Sequence, residues 1–311
     1  MPAGEIRQIK RRVKSVQSTK KITRAMELIA SSRIIKAEQR LKSARPYAEQ
    51  MRSVIANLAH AVGGSIQHPL LEVRENPRNS AVLVVAADRG LCGAYNSAVL
   101  KLAQAELAAL PGENKSIVAI GRKVDSYFRY EGIAVDKLWQ GKSDLPDYDT
   151  AREAAEYVMG EYTEGNLDRI TLVYTNFESM FRQVPVAIPL LPVDPEQLVK
   201  RIGEQVPEEA PLLFEPTPED VQADTIFEPP AEQILGDIIP KGVASLIFEA
   251  LLESAASEHA SRRRAMKAAT DNANDLINAL QLKGNKARQA AITTEIIEIV
   301  GGAQALEQAK Q

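Results

Sequence analysis

"ASSRIIKAEQRLKSARPYAEQMRSVIANL", residues 30–58, decides the fold class. Ala30, Ile34, Ala37, Leu41, Ala44, Ala48, Met51, Ile55 and Leu58 alternate steps of four and three without a break. That spacing is a coiled-coil seam sustained over four heptads. Working back toward the start, Ile6, Ile9, Val13 and Val16 step by three, four and three. Between the two runs, around Lys20 to Thr23, the seam turns polar and predicts a slip of phase, which alters a supercoil locally. Pro46 removes one backbone hydrogen bond and predicts a kink or a split near Ala44. If mostly continuous from Ala3 to Ala61, the element is roughly 85 Å long at ~1.5 Å per residue. No small globular domain needs such a helix.

The other end of the chain answers it. From Gly242 onward there is no proline in about seventy residues, and Gly284 is the main interior weak point. If helical, this part spans ~100 Å. Within "NKARQAAITTEIIEIVGGA" (285–303), Ile292, Ile296 and Ile299 recur at four and three and read as a seam for another helix, with Arg288 and Gln289 one turn earlier. An antiparallel pairing of the two termini would bury both seams.

The middle has a different character. "AVLVVAA" (81–87), "SIVAI" (116–120), "IAVDKLW" (133–139) and "DRITLVYTNF" (168–177) read as strands, with helical stretches at 96–109, 123–130 and 150–161 between them. Strands alternating with helices predict a parallel α/β sheet. "FRQVPVAIPLLPV" (181–193) reads as a further strand, placed at an edge by Pro185 and Pro189. From Asp194 to Glu232, eleven acidic residues face only Lys200 and Arg201, among seven prolines, as in a solvated loop or appendage. The expected organisation is therefore an N-terminal coiled-coil helix (1–61), a linker (62–79), a central Rossmann-like α/β domain (80–193), an acidic proline-rich loop or insertion (194–232) and a C-terminal coiled-coil helix (233–311). The fold class is α/β plus a long antiparallel α-helical coiled coil.

Composition bounds the function. The 311 residues are 45% hydrophobic with 5% aromatic and a net charge of −3, which leans toward long helices and imposes no overall electrostatic partner. A lone Cys92 excludes an internal disulfide framework and a cysteine metal site, and His60, His68 and His259 lie too far apart in sequence to suggest a ligand cluster. No apolar run approaches the ~20 residues of a membrane span. The basic N-terminus lacks the apolar core of a secretory signal. The chain reads as soluble and intracellular.

"VVAADRGLCGAYN" (84–96) is strand, glycine turn and helix, a shape that can hold phosphate at a helix N-terminus. The dinucleotide fingerprint needs three glycines, however, and only Gly90 and Gly93 are present, so a tight packing turn is the preferred reading. Cys92, with no histidine nearby in sequence, reads as a small core residue. "QGKS" (140–143) fails as a Walker loop because Asp136 stands where the first glycine belongs. From Met1 to Arg45 there are thirteen Lys and Arg against three acids, and Arg262, Arg263, Arg264, Lys267, Lys283, Lys286 and Arg288 extend this on the other long helix. An acidic partner, nucleic acid or protein, competes with a merely solvated face. No paired carboxylates or Ser–His–Asp set is evident, which favours a mechanical or organising role over catalysis.

Three stretches carry a resemblance. "EIRQIKRRVKSVQSTKKITRAMELIASSR" (5–33), "DRGLCGAYN" (88–96) and "RRRAMKAATDNANDLINALQLKGNKARQAAITTEIIEIVGGA" (262–303) closely resemble the gamma subunits of F-type ATP synthases. The resemblance covers nearly the whole chain and is weakest over 194–225. It implies an antiparallel coiled coil inside a hexamer of alpha and beta subunits, above a Rossmann-like domain. It implies a central rotor shaft of a proton-translocating enzyme, coupling c-ring rotation to conformational changes at the beta-subunit catalytic sites. It implies no catalytic, cofactor-binding or metal-binding residues in this chain. The implied partners are the alpha and beta subunits, the epsilon subunit and the membrane c-ring, with no nucleic acid. The implied location is peripheral, on the cytoplasmic face of a bacterial plasma membrane. By the same resemblance Arg288, Gln289 and Thr293 match residues that hydrogen-bond a beta-subunit loop, and the apolar seam after them serves a hydrophobic bearing. Met26 matches a methionine near a beta-subunit loop, Arg33 and Lys36 face an acidic one, and Glu228 matches a carboxylate near the c-ring. Chloroplast members carry a cysteine pair in an insertion near 194–225, whereas this stretch has no cysteine. Gly284 stands where the family often has a larger residue and reads as a soft point in the shaft.

Overall fold

The computed structural model describes residues 2–61, 68–193 and 231–308, so Glu228 lies outside the described residues. The chain divides into two compact units, Met1–Ser31 with Arg262–Gln311, and Ser32–Ser261.

The second unit is built on one five-stranded sheet. Its strands are β1 (Asn79–Val85), β2 (Asn114–Ile120), β3 (Val135–Trp139), β4 (Arg169–Phe177) and β5 (Gln183–Leu191), in spatial order β3-β2-β1-β4-β5. The helices between them are α2 (Tyr95–Ala109), α3 (Arg122–Tyr130) and α4 (Tyr148–Thr163). They follow α1 (Pro2–Ala61) and precede α5 (Ala231–Gln308). β1 pairs in parallel with both β2 and β4, so it lies at the centre and is buried on both faces, which is why its sequence is an unbroken apolar run. The period-two alternation then sorts its side chains. Val82 and Val84 join Val99, Ala103 and Phe128 under α2 and α3, while Leu83 and Val85 join Val158, Tyr162, Ile247 and Leu251 under α4 and α5.

One strand, the expected edge strand, is not parallel to the rest. β5 runs antiparallel to β4, because residues 178–182 are too short for anything but a hairpin. Pro185 and Pro189 lie on that edge strand, as their missing N–H requires. Within the same unit the α1 seam packs on α5, with Ile34, Ala37 and Leu41 against Leu252, Ala256 and Ala260. From Glu249 to Arg262 every residue of α5 is buried, charged ones included.

In the first unit the terminal segments of α1 and α5 pair antiparallel. Thr23 and Thr270 hydroxyls meet at 2.8 Å, Lys283 Nζ lies 3.2 Å from Glu5 Oε1, and the Gly284 backbone approaches Ile9. Two sequence expectations are corrected here. There is no slip of phase: Ile6, Ile9, Val13, Val16, Lys20, Thr23, Glu27 and Ala30 form one buried or half-buried stripe that keeps the three-four alternation. Polar residues simply occupy seam positions, because a Thr–Thr hydrogen bond and an Arg24–Glu27 ion pair at 2.8 Å satisfy them there. Of the kink or split expected at Pro46, the split does not occur, since α1 is helical throughout Pro2–Ala61. A single lost backbone bond is small against a seam packed over many turns.

Candidate functional site

The turn after β1 is where a doubly wound sheet changes direction between β1 and β4, the usual place for a ligand crevice. Here the chain fills it. Leu91 and Gly93 both adopt positive φ, 62° and 59°, which folds Cys92 inward against Ala87 and Tyr95. Cys92 is buried and its sulfur accepts from Asn96 Nδ2 at 3.1 Å. Above it α5 crosses the end of β4, with Thr175 N–H donating to Ser254 Oγ at 3.4 Å and Ser257 Oγ donating to Thr175 O at 3.3 Å. The Tyr95 hydroxyl is held up in pKa first by burial and then by the nearby Glu258 carboxylate.

The anion position at the N-terminus of α3 is likewise taken internally. Asp88 Oδ1 accepts from Arg122 N–H at 2.9 Å and Oδ2 from Ser143 N–H at 3.1 Å. Burial alone would raise this carboxyl, but the N–H groups of Gly141, Arg122 and Ser143 outweigh it and hold it below the ordinary range. "QGKS" is a structural loop: Gly141 sits at φ 80°, Lys142 pairs with Asp147 at 2.6 Å, and Ser143 Oγ accepts from Asp88 N–H at 2.9 Å.

That loop, between β3 and α4, carries a residue that the sequence reading passed over. Asp144 Oδ2 accepts from Arg33 Nη1 of α1 at 2.7 Å, with Arg89 at 3.8 Å, and its backbone oxygen lies 3.3 Å from His259 Nε2 of α5. Its carboxyl is pulled below the ordinary range although burial opposes this, because Arg33, His259 and Arg89 all face it. Nothing local in "GKSDLPD" distinguishes Asp144 from Asp147; only the tertiary contact does.

The residues selected from sequence fall in separate places. Arg288, Gln289 and Thr293 lie exposed on α5, with Thr293 Oγ1 donating to Gln289 O at 3.0 Å. Met26 is half-buried and Lys36 exposed on α1, whereas Arg33 is half-buried and engaged with Asp144. The isoleucine row needs correction. On α5 the stripe toward α1 is Met266, Thr270, Ala273, Ile277, Leu280, Gly284, Ala287 and Ala291, all buried or half-buried. Ile292, Ile296 and Ile299 are one residue out of that phase and are 49%, 55% and 72% exposed. The pairing of Thr23 with Thr270 and of Ile9 with Gly284 shares one register, which sets Pro2 opposite Ala291. The last seventeen residues of α5, 292–308, therefore run past the start of α1 and carry an apolar face with Ile297 and Val300.

No helix among the described residues is long and apolar enough to cross a membrane. Residues 5–306 match the family model described as ATP synthase. Among similar proteins, the ATP synthase gamma chain of Cutibacterium acnes is 46% identical over 324 residues, covering 98% of each chain. That of Mycolicibacterium gilvum is 42% identical over 323 residues, again covering 98% of each. Among solved structures, a chain of the Euglena gracilis mitochondrial ATP synthase (OSCP, F1 and c-ring) superposes with a TM-score of 0.65 at 17% identity, over 99% of this chain and 97% of that one. A chain of the Tetrahymena thermophila central stalk and c-ring gives 0.58 at 22% identity, over 80% of this chain and 99% of that one. With a doubly wound sheet whose crevice is closed by its own long helix, paired terminal helices and relatives matched end to end, the chain belongs to the ATP synthase gamma-chain family.

Proposed function

We propose that this chain is the central shaft of a rotary F-type ATP synthase, turned by the c-ring and driving the beta-subunit catalytic sites through their conformational cycle. The observation that carries the reading is the near end-to-end match with gamma chains, at 42% and 46% identity over 98% of both chains in each comparison. The geometry supports it: the free end of α5 presents exposed isoleucines and a hydrogen-bonding head to whatever surrounds it. Such a device works by differential contact, each orientation of an asymmetric shaft favouring one state of each site.

In this reading the alpha and beta subunits form the hexamer around the paired helices, and the epsilon subunit and c-ring meet the unit built on the sheet. The complex lies on the cytoplasmic face of a bacterial plasma membrane and moves protons. The five-part organisation drawn from the sequence, with boundaries at 61, 79, 193 and 232, remains our proposal for its domains. Arg288, Gln289 and Thr293 are proposed to bond a beta-subunit loop, where a guanidinium can grip a carboxylate in a charge-assisted pair. Met26, Lys36 and Arg33 are proposed to lie near further beta-subunit loops, Arg33 in competition with Asp144, and Glu228 near the c-ring. Co-expression with alpha and beta subunits tests the function: one large complex with ATPase activity that depends on this chain is expected. A chain that ignores the hexamer and binds nucleic acid at low salt refutes it. Within the assembled enzyme, Arg288→Ala with Gln289→Ala is expected to weaken ATP-driven proton pumping, and unchanged pumping would sink that assignment.

A further inference from the structure

We propose that Asp144 is a clasp through which the sheet holds both long helices, Arg33 of α1 by its carboxylate and His259 of α5 by its backbone oxygen, so that Arg33 acts as a positioning residue within the chain. Four observations carry this. First, Asp144 is the meeting point of three elements that are remote in sequence: α1, α5 and the loop before α4. Second, the ion pair is short at 2.7 Å and partly shielded, the Asp144 side chain being 21% and that of Arg33 41% exposed. Third, the clasp is anchored on the sheet side: the adjacent Ser143 exchanges two hydrogen bonds with Asp88, whose carboxylate in turn holds the first N–H of α3. The neighbouring Asp147 caps α4 by accepting from Thr150 N–H at 2.9 Å. A pull on Arg33 is thereby delivered to β1, α3 and α4 at once. Fourth, Arg33 and His259 stand one and two residues inside the points where their helices leave the sheet-bearing unit, at Ser32 and Ser261. That is where twist in a helix pair must be resisted if the sheet is to turn with it.

The proposal rests on the shaft reading for its purpose and on the chain alone for its geometry, and the two are separable by experiment. On the isolated full-length chain, Arg33→Gln, Asp144→Asn and the double variant form a cycle read by hydrogen exchange of backbone amides 140–147. A partly exposed charge-assisted pair predicts about three- to tenfold faster exchange in either single variant, with the double no faster than the worse single. Exchanging the charges, Arg33→Asp with Asp144→Arg, is expected to recover part of the protection. In the assembled enzyme, both single variants are expected to lower the protons pumped per ATP hydrolysed in the same proportion, a ratio that simple loss of folded protein leaves unmoved. Unchanged exchange in Asp144→Asn, with pumping impaired only by Arg33→Gln, overturns the clasp and returns Arg33 to a partner contact. Should Asp144→Asn not fold, Arg33→Gln alone decides, with accelerated exchange at 140–147 supporting the clasp and unaltered exchange overturning it. If the wild-type chain does not assemble with alpha and beta subunits, the shaft reading fails while the exchange result still judges the clasp.

Discussion

Gly284→Ala is expected to stabilise the paired helices, contrary to the rule that a glycine on a seam is there because nothing else fits. Two effects oppose one another. Alanine in a helix interior is worth roughly 1 kcal/mol over glycine, because it restricts the unfolded chain and shields the backbone. Against this, a Cβ at 284 would lie 3.3 Å from Ile9 Cγ2, tight by a few tenths of an ångström, with nothing else crowding it. Ile9 is stiff at χ1, so relief must come from a small separation of the helices rather than from a rotamer change. The contact is two turns from the start of α1, where the pair opens to a single helix, so that separation is cheap. The φ of Gly284 is an ordinary helical one, so no backbone strain is added. The balance is a gain of about 0.5 kcal/mol, read as roughly two- to threefold slower hydrogen exchange of amides 280–287. Gly284→Leu adds three more carbons to the same gap and reverses the sign, by about 1–3 kcal/mol of overpacking. Faster exchange in Gly284→Ala than in the parent chain would refute the reasoning, because it would mean that the helices cannot separate at Ile9.

Other outcomes follow from the same geometry. Gly121→Ala is expected to cost at least ~3 kcal/mol in urea denaturation, since φ is 106° and the added Cβ would lie 2.0 Å from the Ala86 carbonyl oxygen, a backbone atom with nowhere to go. Asp147→Ala is expected to cost about 1 kcal/mol by removing the cap of α4. Lys142 first, then Thr150, hold the Asp147 carboxyl down to about 2, so its contribution is complete above the ordinary carboxylate range and fades as pH falls through about 2. Acid titration of the parent and Asp147→Ala chains should therefore converge at low pH; a constant gap would contradict the linkage. Thr23→Val and Thr270→Val singly are each expected to cost about 1 kcal/mol, and together less than the sum of the two, because the paired change leaves no hydroxyl facing an apolar partner. Strictly additive costs would show that the hydrogen bond does not couple the helices.

The sheet was legible to within two residues at each strand end, because its strands are short apolar runs bounded by turn residues and its helices are longer, so run length separates them. The direction of β5 was legible too, had the five-residue connection before it been weighed as heavily as its prolines. What periodicity misjudged was the seam between the terminal helices. A reading that counts only apolar residues sees a gap at Lys20, Thr23 and Glu27 and infers a slip, while the spacing of three and four passes through all of them unchanged. The same habit promoted Ile292, Ile296 and Ile299 to the seam because they are apolar and correctly spaced among themselves. Phase relative to Met266, Thr270, Ala273 and Ile277 would have placed them one residue off. Both errors have one physical source. In a two-helix seam, position decides burial, and residue type decides only how that burial is satisfied. A threonine in phase is buried and finds a hydroxyl across the interface. An isoleucine out of phase stays exposed until another surface covers it. An apolar row that a helix pair leaves uncovered is therefore not a defect in the pairing but a surface still open to another cover, and here it is the row of Ile292, Ile296, Ile297, Ile299 and Val300.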